Sequence, residues 1–404
     1  MISFGARRGT LALRMTSGIG VGIGSLLAAT TTQAQSSSFG YTIAPAYQVW
    51  QFAKDVPLDS ITVKGATQAS LPFAIYLPLG TRFFASATGA VASSTLTAKN
   101  LAGASTTRSL TGVTDLRVRG TAKLIGDAVL LTLGVNIPTG TVGLSPQQND
   151  VLRVIAAPAI DAQAPIPGTG FGGTVGLVFA RSFGTFAWAA GASVEQRGKY
   201  APFDAQIAGL QARTELVAGK AVHLSLGTDG LVGTNRLSIG VVGDVYSTDK
   251  VRLLSGSTEL RSQTYQLGPT VSATALLQID QTAIRDLTVR LNNRYRASFK
   301  DNNGADVAGS SGNYLELGAS GLVGKAGKPS LLLGVEVRQH TGLAVDQGFI
   351  GAGLTAFGGT LGASIPVGSI EWRPAARVFT GSLKTGKVTT GITGITLGLT
   401  INGR

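Results

Sequence analysis

Few residues in this 404-residue chain have types suited to chemistry, and their spacing narrows the choices. The only histidines are His223 and His340, 117 positions apart, so a Ser–His pair or a histidine metal site must use one of them. There is no cysteine, which excludes disulfide frameworks and thiolate metal sites. No G-x-S-x-G nucleophile elbow occurs. Gly168, Gly170 and Gly173 spell G-x-G-x-x-G, but the next residues alternate as a strand does: Phe171, Val175, Leu177 and Phe179 against Thr174, Gly176, Ala180 and Ser182. A dinucleotide site needs a helix there. No cofactor, metal or catalytic residue is therefore expected. Catalysis through His223 or His340 ranks third, as a barrel enzyme acting on lipid.

The basic residues carry more information. Arg117, Arg119 and Lys123 recur on one face of one segment. Arg290, Arg294, Arg296 and Lys300 do so on another, and Arg373 and Arg377 on a third. Each row lies opposite apolar residues: Leu116, Val118, Ala122 and Leu124; Leu287, Val289, Leu291, Tyr295, Ala297 and Phe299; Ile370, Trp372, Ala376 and Val378. A period of two is that of a β-strand with two unlike faces. It returns at Val129, Leu131, Leu133, Val135 and Ile137, at Tyr265, Leu267, Val271, Ala273, Ala275, Leu277 and Ile279, and at Ile395, Leu397, Leu399 and Ile401.

These strands run to about 10–16 residues, whereas soluble sheets favour ~5–6 and a tilted membrane-crossing strand needs about 9–11. Short turns alternate with long connections. The turns lie near Gly80-Thr81, Ile125-Gly126-Asp127, Phe183-Gly184-Thr185 and residues 325–328. The long loops span residues 97–110, 139–169, 199–213, 248–261 and 300–312. That is the layout of a bacterial outer-membrane barrel. The expected fold is an all-β, transmembrane, antiparallel up-and-down β-barrel. Fourteen strands are clear. Further strands at residues 41–52 and 348–357 would bring both termini to the short-turn side and make 16; 12 is the lower bound. A soluble β-sandwich is the competing architecture. In the 139–169 loop, Ser145, Pro146 and Gln148 form a capping box with proline at the first helical position. They predict a helix over residues 146–156, folded over or into the pore.

Residues 1–34 read as a secretory signal peptide. Arg7, Arg8 and Arg14 precede a small, apolar run, and Thr32-Gln33-Ala34 offers a cleavage site. Arg7-Arg8 lacks the surroundings of a twin-arginine signal. The formal charge of +13 loses those three arginines on cleavage, leaving +10 over residues 35–404, the barrel. No block of like charges points to nucleic acid. The 56 glycines, about twice the usual ~7%, show no collagen period.

The segment from Asp115-Leu116-Arg117-Val118-Arg119 through Leu133-Gly134-Val135-Asn136-Ile137-Pro138-Thr139-Gly140, Gly168-Thr169-Gly170-Phe171 and Glu195-Gln196-Arg197-Gly198-Lys199-Tyr200 resembles bacterial outer-membrane barrels of the transporter and porin type. It is similar to those linked with uptake of aromatic compounds and fatty acids. The resemblance implies passive transport of a small molecule and carries no catalytic residue over. Expected partners are outer-membrane lipid, the barrel-assembly machinery and a small solute. The end, Thr400-Ile401-Asn402-Gly403-Arg404, departs from such barrels in lacking a final aromatic residue.

Cationic rows facing lipid would each cost about 2–4 kcal/mol per charge at the midplane, so they are expected to face the lumen. There they either select anions or pair with Asp115, Glu195, Asp244, Glu336 and Glu371. The first outcome makes a porin or transporter, the second a plugged structural or surface-binding barrel.

Overall fold

A computed structural model describes residues 39–58, 61–125, 128–157, 159–164, 168–207, 210–280, 283–342, 353–385 and 388–403, without the side chains of residues 205–211. The expected signal peptide lies outside the described residues. In chain order the elements are β1 (Gly40–Ile43), β2 (Ala46–Leu58), β3 (Ile61–Leu79), β4 (Phe83–Asn100), β5 (Ser105–Val113), β6 (Leu116–Leu124), β7 (Val129–Ile137) and helix α1 (Pro146–Ile155). Then come β8 (Gly172–Phe183), β9 (Phe186–Arg197), β10 (Lys199–Ile207), β11 (Leu210–Val217), β12 (Lys220–Val232), β13 (Asn235–Tyr246), β14 (Asp249–Ser255) and β15 (Thr258–Tyr265). The last are β16 (Thr270–Ile279), β17 (Arg285–Arg296), β18 (Gly312–Val323), β19 (Ser330–Gly342), β20 (Gly353–Val367), β21 (Ile370–Thr385) and β22 (Val388–Gly403).

Eighteen strands form one sheet that closes on itself. β1 and β2 are two halves of one stave, since both pair with β3 and β22. The stave breaks at Pro45, whose nitrogen has no hydrogen to donate. β5 and β6 are likewise two halves of one stave, both laid along β4. The result is a closed antiparallel barrel of 16 staves, the upper of the two strand counts expected. Residues 41–52 fall in the first stave, and the expected strand at 348–357 begins, in its described part, with Gly353 in β20. Both ends of the barrel chain lie at the short-turn end, where Tyr41 pairs with Gly403.

Register separates the two faces. The outward row of β7 is Val129, Leu131, Leu133, Val135 and Ile137, and across β8 it meets Phe179, Leu177, Val175 and Gly173. Leu133, Val175, Phe179, Leu224, Val335, Phe357 and Leu397 are each at least half exposed on the bare protein. A soluble monomer does not leave so wide an apolar surface bare. A bilayer covers it, and closure leaves no unpaired edge inside the lipid. Trp188, Tyr295 and Trp372 lie on this outer face.

The long connections differ from expectation. The 97–110 loop is a tight hairpin, because β4 runs to Asn100 and β5 starts at Ser105. Residues 199–213 and 248–261 are hairpins that join as a separate four-stranded sheet, β10-β11-β14-β15, standing on the barrel rim. Among the described residues, that sheet forms no ladder with the staves of the barrel. Tyr265 belongs to it rather than to the lipid-facing row of β16. The strand expected to reach Lys300 stops at Arg296. Phe299 is buried in the outer loop rather than exposed to lipid, and packs in a small core with Leu216, Ala221, Tyr246 and Leu267.

Candidate functional site: a lumen with an inserted loop

The inward row of each stave follows from register. Arg117, Arg119, Thr121 and Lys123 on β6 face Asn136, Gly134, Thr132 and Leu130 on β7. Arg290, Asn292, Arg294 and Arg296 on β17 face Gly318, Glu316, Tyr314 and Gly312 on β18. Arg373 and Arg377 on β21 face Thr400 and Thr396 on β22. These are the fourth, eleventh and fifteenth staves, so the basic rows approach the lumen from three directions. Lys300 does not join them; it sits in the outer loop, bridged to Gln266 and Asp306.

Several of these cations have acidic partners. Arg377 donates to Glu336 through Nε (3.0 Å) and Nη2 (2.6 Å), and through Nη1 to Asp161 (2.9 Å). Arg373 pairs with Glu371 at 2.9 Å and Arg290 with Glu316. Arg296 is buried, lies over the Phe299 ring at 4.4 Å and donates to the Ser310 carbonyl, so it braces the outer loop. Arg119 lies within electrostatic reach of Arg117, Glu195 and Tyr76.

The other expected acids do different work. Glu195 and Asp244 bracket His223: Nε2 lies 3.4 Å from Glu195 and Nδ1 2.8 Å from Asp244, which also accepts from Thr270 Oγ1 at 2.6 Å. With a carboxylate at each ring nitrogen, His223 has none left to take a proton from a serine. His340 is buried on the inward row of β19, its ring 6.4 Å from that of Tyr314.

Asp115 is a clamp. Oδ1 accepts from the Gly140 N–H (2.8 Å). Oδ2 accepts from the Thr169 N–H (2.6 Å), Thr169 Oγ1 (2.8 Å) and Asn136 Nδ2 (2.9 Å). These bonds tie together the two ends of the 139–169 loop. The Pro-Thr-Gly and Gly-Thr-Gly pieces singled out in the sequence are that neck. A Cβ on Gly140 would stand 2.4 Å from the Gly168 Cα, so only glycine lets the two chains pass. Gly170 leaves the neck at φ +79°.

Beyond the neck the loop turns into the barrel. Helix α1 has the expected capping box, with Ser145 Oγ accepting from the Gln148 N–H and Gln148 Oε1 from the Ser145 N–H. Its Val151, Leu152, Val154 and Ile155 are buried in one core with inward residues of the adjoining wall, among them Trp50, Phe52, Leu96, Leu110, Leu354, Phe379, Leu383 and Ile392. Arg108 on β5 pairs with Asp150 on the helix. Past the helix the chain is held by wall amides. Gln68 accepts from the Ala164 N–H (3.0 Å) and donates to its carbonyl (2.8 Å), and Gln48 accepts from the Gln163 N–H (2.9 Å). Sequence reasoning missed Asp161, Arg338, Gln48 and Gln68, because their partners lie far away along the chain.

The rim sheet also reaches this loop. Gly143 and Leu144 donate to the carbonyls of Ala201 and Pro202 within β10. Arg197 anchors the sheet to the barrel through Asp249 at 3.2 Å. Burial pushes the Asp249 carboxyl above its ordinary range, against the pull of Arg197.

The chain matches no protein-family model, and no curated protein matches it. Among solved structures it is similar to a FadL homologue of Pseudomonas aeruginosa (10% identity, 92% of this chain and 91% of that one, TM-score 0.45). It is also similar to OprB of Pseudomonas putida (10% identity, 92% and 96%, TM-score 0.42) and to OccK11 of Pseudomonas aeruginosa (10% identity, 90% and 95%, TM-score 0.41). Likenesses this distant carry nothing about solute or mechanism, and the functional reading rests on this chain's own geometry.

Proposed function

We propose that the protein is an outer-membrane barrel giving passive passage to small solutes through a lumen narrowed on one side by the 139–169 loop. The observation that carries this is the contrast between the two faces of the sheet. The outer face is apolar and suited to lipid. The inner face, away from the loop, is lined by Arg117, Arg119, Asn136, Glu195, Asn292, Arg294 and Glu316, which are polar, partly exposed and suited to water. Sixteen-stranded barrels leave an aqueous channel when nothing fills them. Pore-lining roles fall to Arg117, Arg119, Lys123, Arg290 and Arg294, with Arg373 and Arg377 on the loop side, and their excess over unshared acids favours anions. Outer-membrane lipid and the barrel-assembly machinery are the partners this reading requires. The buried helix supports a second reading, in which the loop closes the lumen and the barrel is structural. An enzymatic role has little support, since both nitrogens of His223 are engaged by carboxylates.

Single-channel conductance of the refolded protein in a planar bilayer, with reversal potential under a salt gradient, separates these readings. Discrete steps with anion preference are expected. A membrane-inserted protein that stays silent would end the passage reading in favour of the structural one.

A further inference from the structure

The contact between Asp161 and the wall is incomplete in a particular way. Arg338 is 0% exposed, and its guanidinium lies 4.2 Å from the centroid of the Phe379 ring. Only Nη1 makes a hydrogen bond, to Asp161 Oδ2 at 3.2 Å. Nε and Nη2 are buried without a hydrogen-bond partner. Glu336 Oε1 stands 3.4 Å from Nε, an ion-pair distance only. Arg377 uses the same Oδ2 of Asp161, at 2.9 Å. Two guanidinium groups thus share one oxygen of one carboxylate. Buried donors left unused are costly and rare in native proteins, and a guanidinium suits a carboxylate best when two parallel N–H···O bonds form.

The tether explains the poor fit. Asp161 sits at φ +55°, in the left-handed region, and its own carbonyl accepts from Gln48. Its backbone is fixed, so its carboxylate arrives end-on. Its side chain is 41% exposed while that of Arg338 is 0% exposed, so a ligand reaches the fork only where Asp161 gives way. The local charge also fits a replaceable group. Glu336 neutralises one of the two arginines, and Asp161 neutralises the other.

We propose that Arg338 and Arg377, backed by Phe379, form a binding site for the carboxylate group of a small monovalent solute, and that Asp161 is its built-in occupant. A free carboxylate displaces Asp161 and presents both oxygens to the fork that Asp161 fills with one. The site would lie at the loop-lined side of the passage proposed above and rests on that reading for its role, though not for its binding chemistry.

The test is titration of the full-length refolded protein in detergent with 13C-labelled acetate, followed by NMR, alongside bilayer conductance of the same preparations. Asp161→Asn removes the competing charge and keeps the shape. It is expected to tighten acetate binding roughly tenfold, about the worth of one charge-assisted hydrogen bond. Adding Arg338→Gln is expected to abolish the gain. If that variant does not fold, Arg377→Lys takes its place: it keeps the charge, removes the fork and is expected to lose most of the gain. Chloride at equal concentration should not compete. Unchanged acetate affinity in Asp161→Asn would overturn the proposal, as would a gain that survives both arginine substitutions. Conductance without arginine-dependent acetate binding leaves the passage standing and removes the site. Arginine-dependent binding in a silent barrel does the reverse.

Discussion

The two halves of the barrel wall obey one strand rule and bury different chemistry. On β2 to β5 and β20 to β22 the inward positions include Trp50, Phe52, Ala92, Leu96, Leu110, Leu354, Ala356, Phe379, Leu383 and Ile392, all buried. On β6 to β18 they include Arg117, Arg119, Glu195, His223, Asp244, Asn292, Arg294 and Glu316. A wall that met only water would have no reason to turn tryptophan and leucine inward. The apolar half is therefore made for the helix it holds, and the inserted loop is as much part of the barrel as the staves are. Among the described residues the charged half holds no helix; Arg117, Arg119, Glu195, Asn292, Arg294 and Glu316 are partly exposed there, while His223 and Asp244 are buried as a hydrogen-bonded pair. In the proposed reading, narrowing comes from one side and selectivity from the other.

Removing the loop is the strongest way to break this asymmetry. Replacing residues 143–166 by a short Gly-Ser linker keeps the neck at Gly140 and Gly168. Single-channel conductance should rise roughly twofold or more, because a 16-stranded barrel without a filling loop leaves an aqueous channel. Unchanged conductance in an inserted protein would mean that the loop does not limit flow. A subtler change is Leu152→Ala at the fully buried centre of the helix. Deleting a core leucine side chain typically removes about 2–5 kcal/mol, and the loss should be local. Proteolysis within residues 139–169 should speed up while the barrel keeps its heat-modifiable mobility. If the whole barrel unfolds instead, loop and wall form one cooperative unit.

At the neck, Asp115→Asn keeps the shape but turns one of two accepting oxygens into a donor. It therefore sets an N–H against either the Gly140 N–H or the Thr169 N–H. A loss of about 1–3 kcal/mol is expected for the unsatisfied group, read as faster amide hydrogen exchange at residues 139–141 and 168–170. Exchange unchanged at the neck would show that the backbone bond from Gly168 to Thr141 suffices.

What the sequence revealed tracks how local each cause is. The staves were legible because lipid outside and water inside impose a period of two over many residues, as from Leu287 to Tyr295. The helix was legible because Ser145, Pro146 and Gln148 set its start among themselves. The rim sheet was not, because β11 pairs with β14 across the intervening β12 and β13. Nor was the way the loop seats: Asp161 meets Arg338 and Arg377, 177 and 216 positions away. Arg338 sits in an alternating row with Glu336 and His340, which marks it as inward but gives no hint of a partner on a loop. Of the acids named in advance as partners for the basic rows, Glu336 and Glu371 serve, while Asp115, Glu195 and Asp244 have other primary contacts.

The mildest perturbation tests the charged half alone. Arg290 projects from β17 with its side chain 51% exposed and pairs with Glu316, which is 13% exposed. Exposed ion pairs contribute about 0–1 kcal/mol, so Arg290→Gln should barely move the heat-modifiability midpoint. Its effect on ions should be larger than its effect on stability. The substitution removes a positive charge from the inner face and releases the Glu316 carboxylate that it neutralised. Both changes push the reversal potential under a salt gradient toward cation preference. The shift should shrink as ionic strength rises, because the Debye length falls to about 3 Å at 1 M salt. A stable, conducting variant with the wild-type reversal potential would place the ion path away from β17, and with it the claim that the wall opposite the helix sets selectivity would fail.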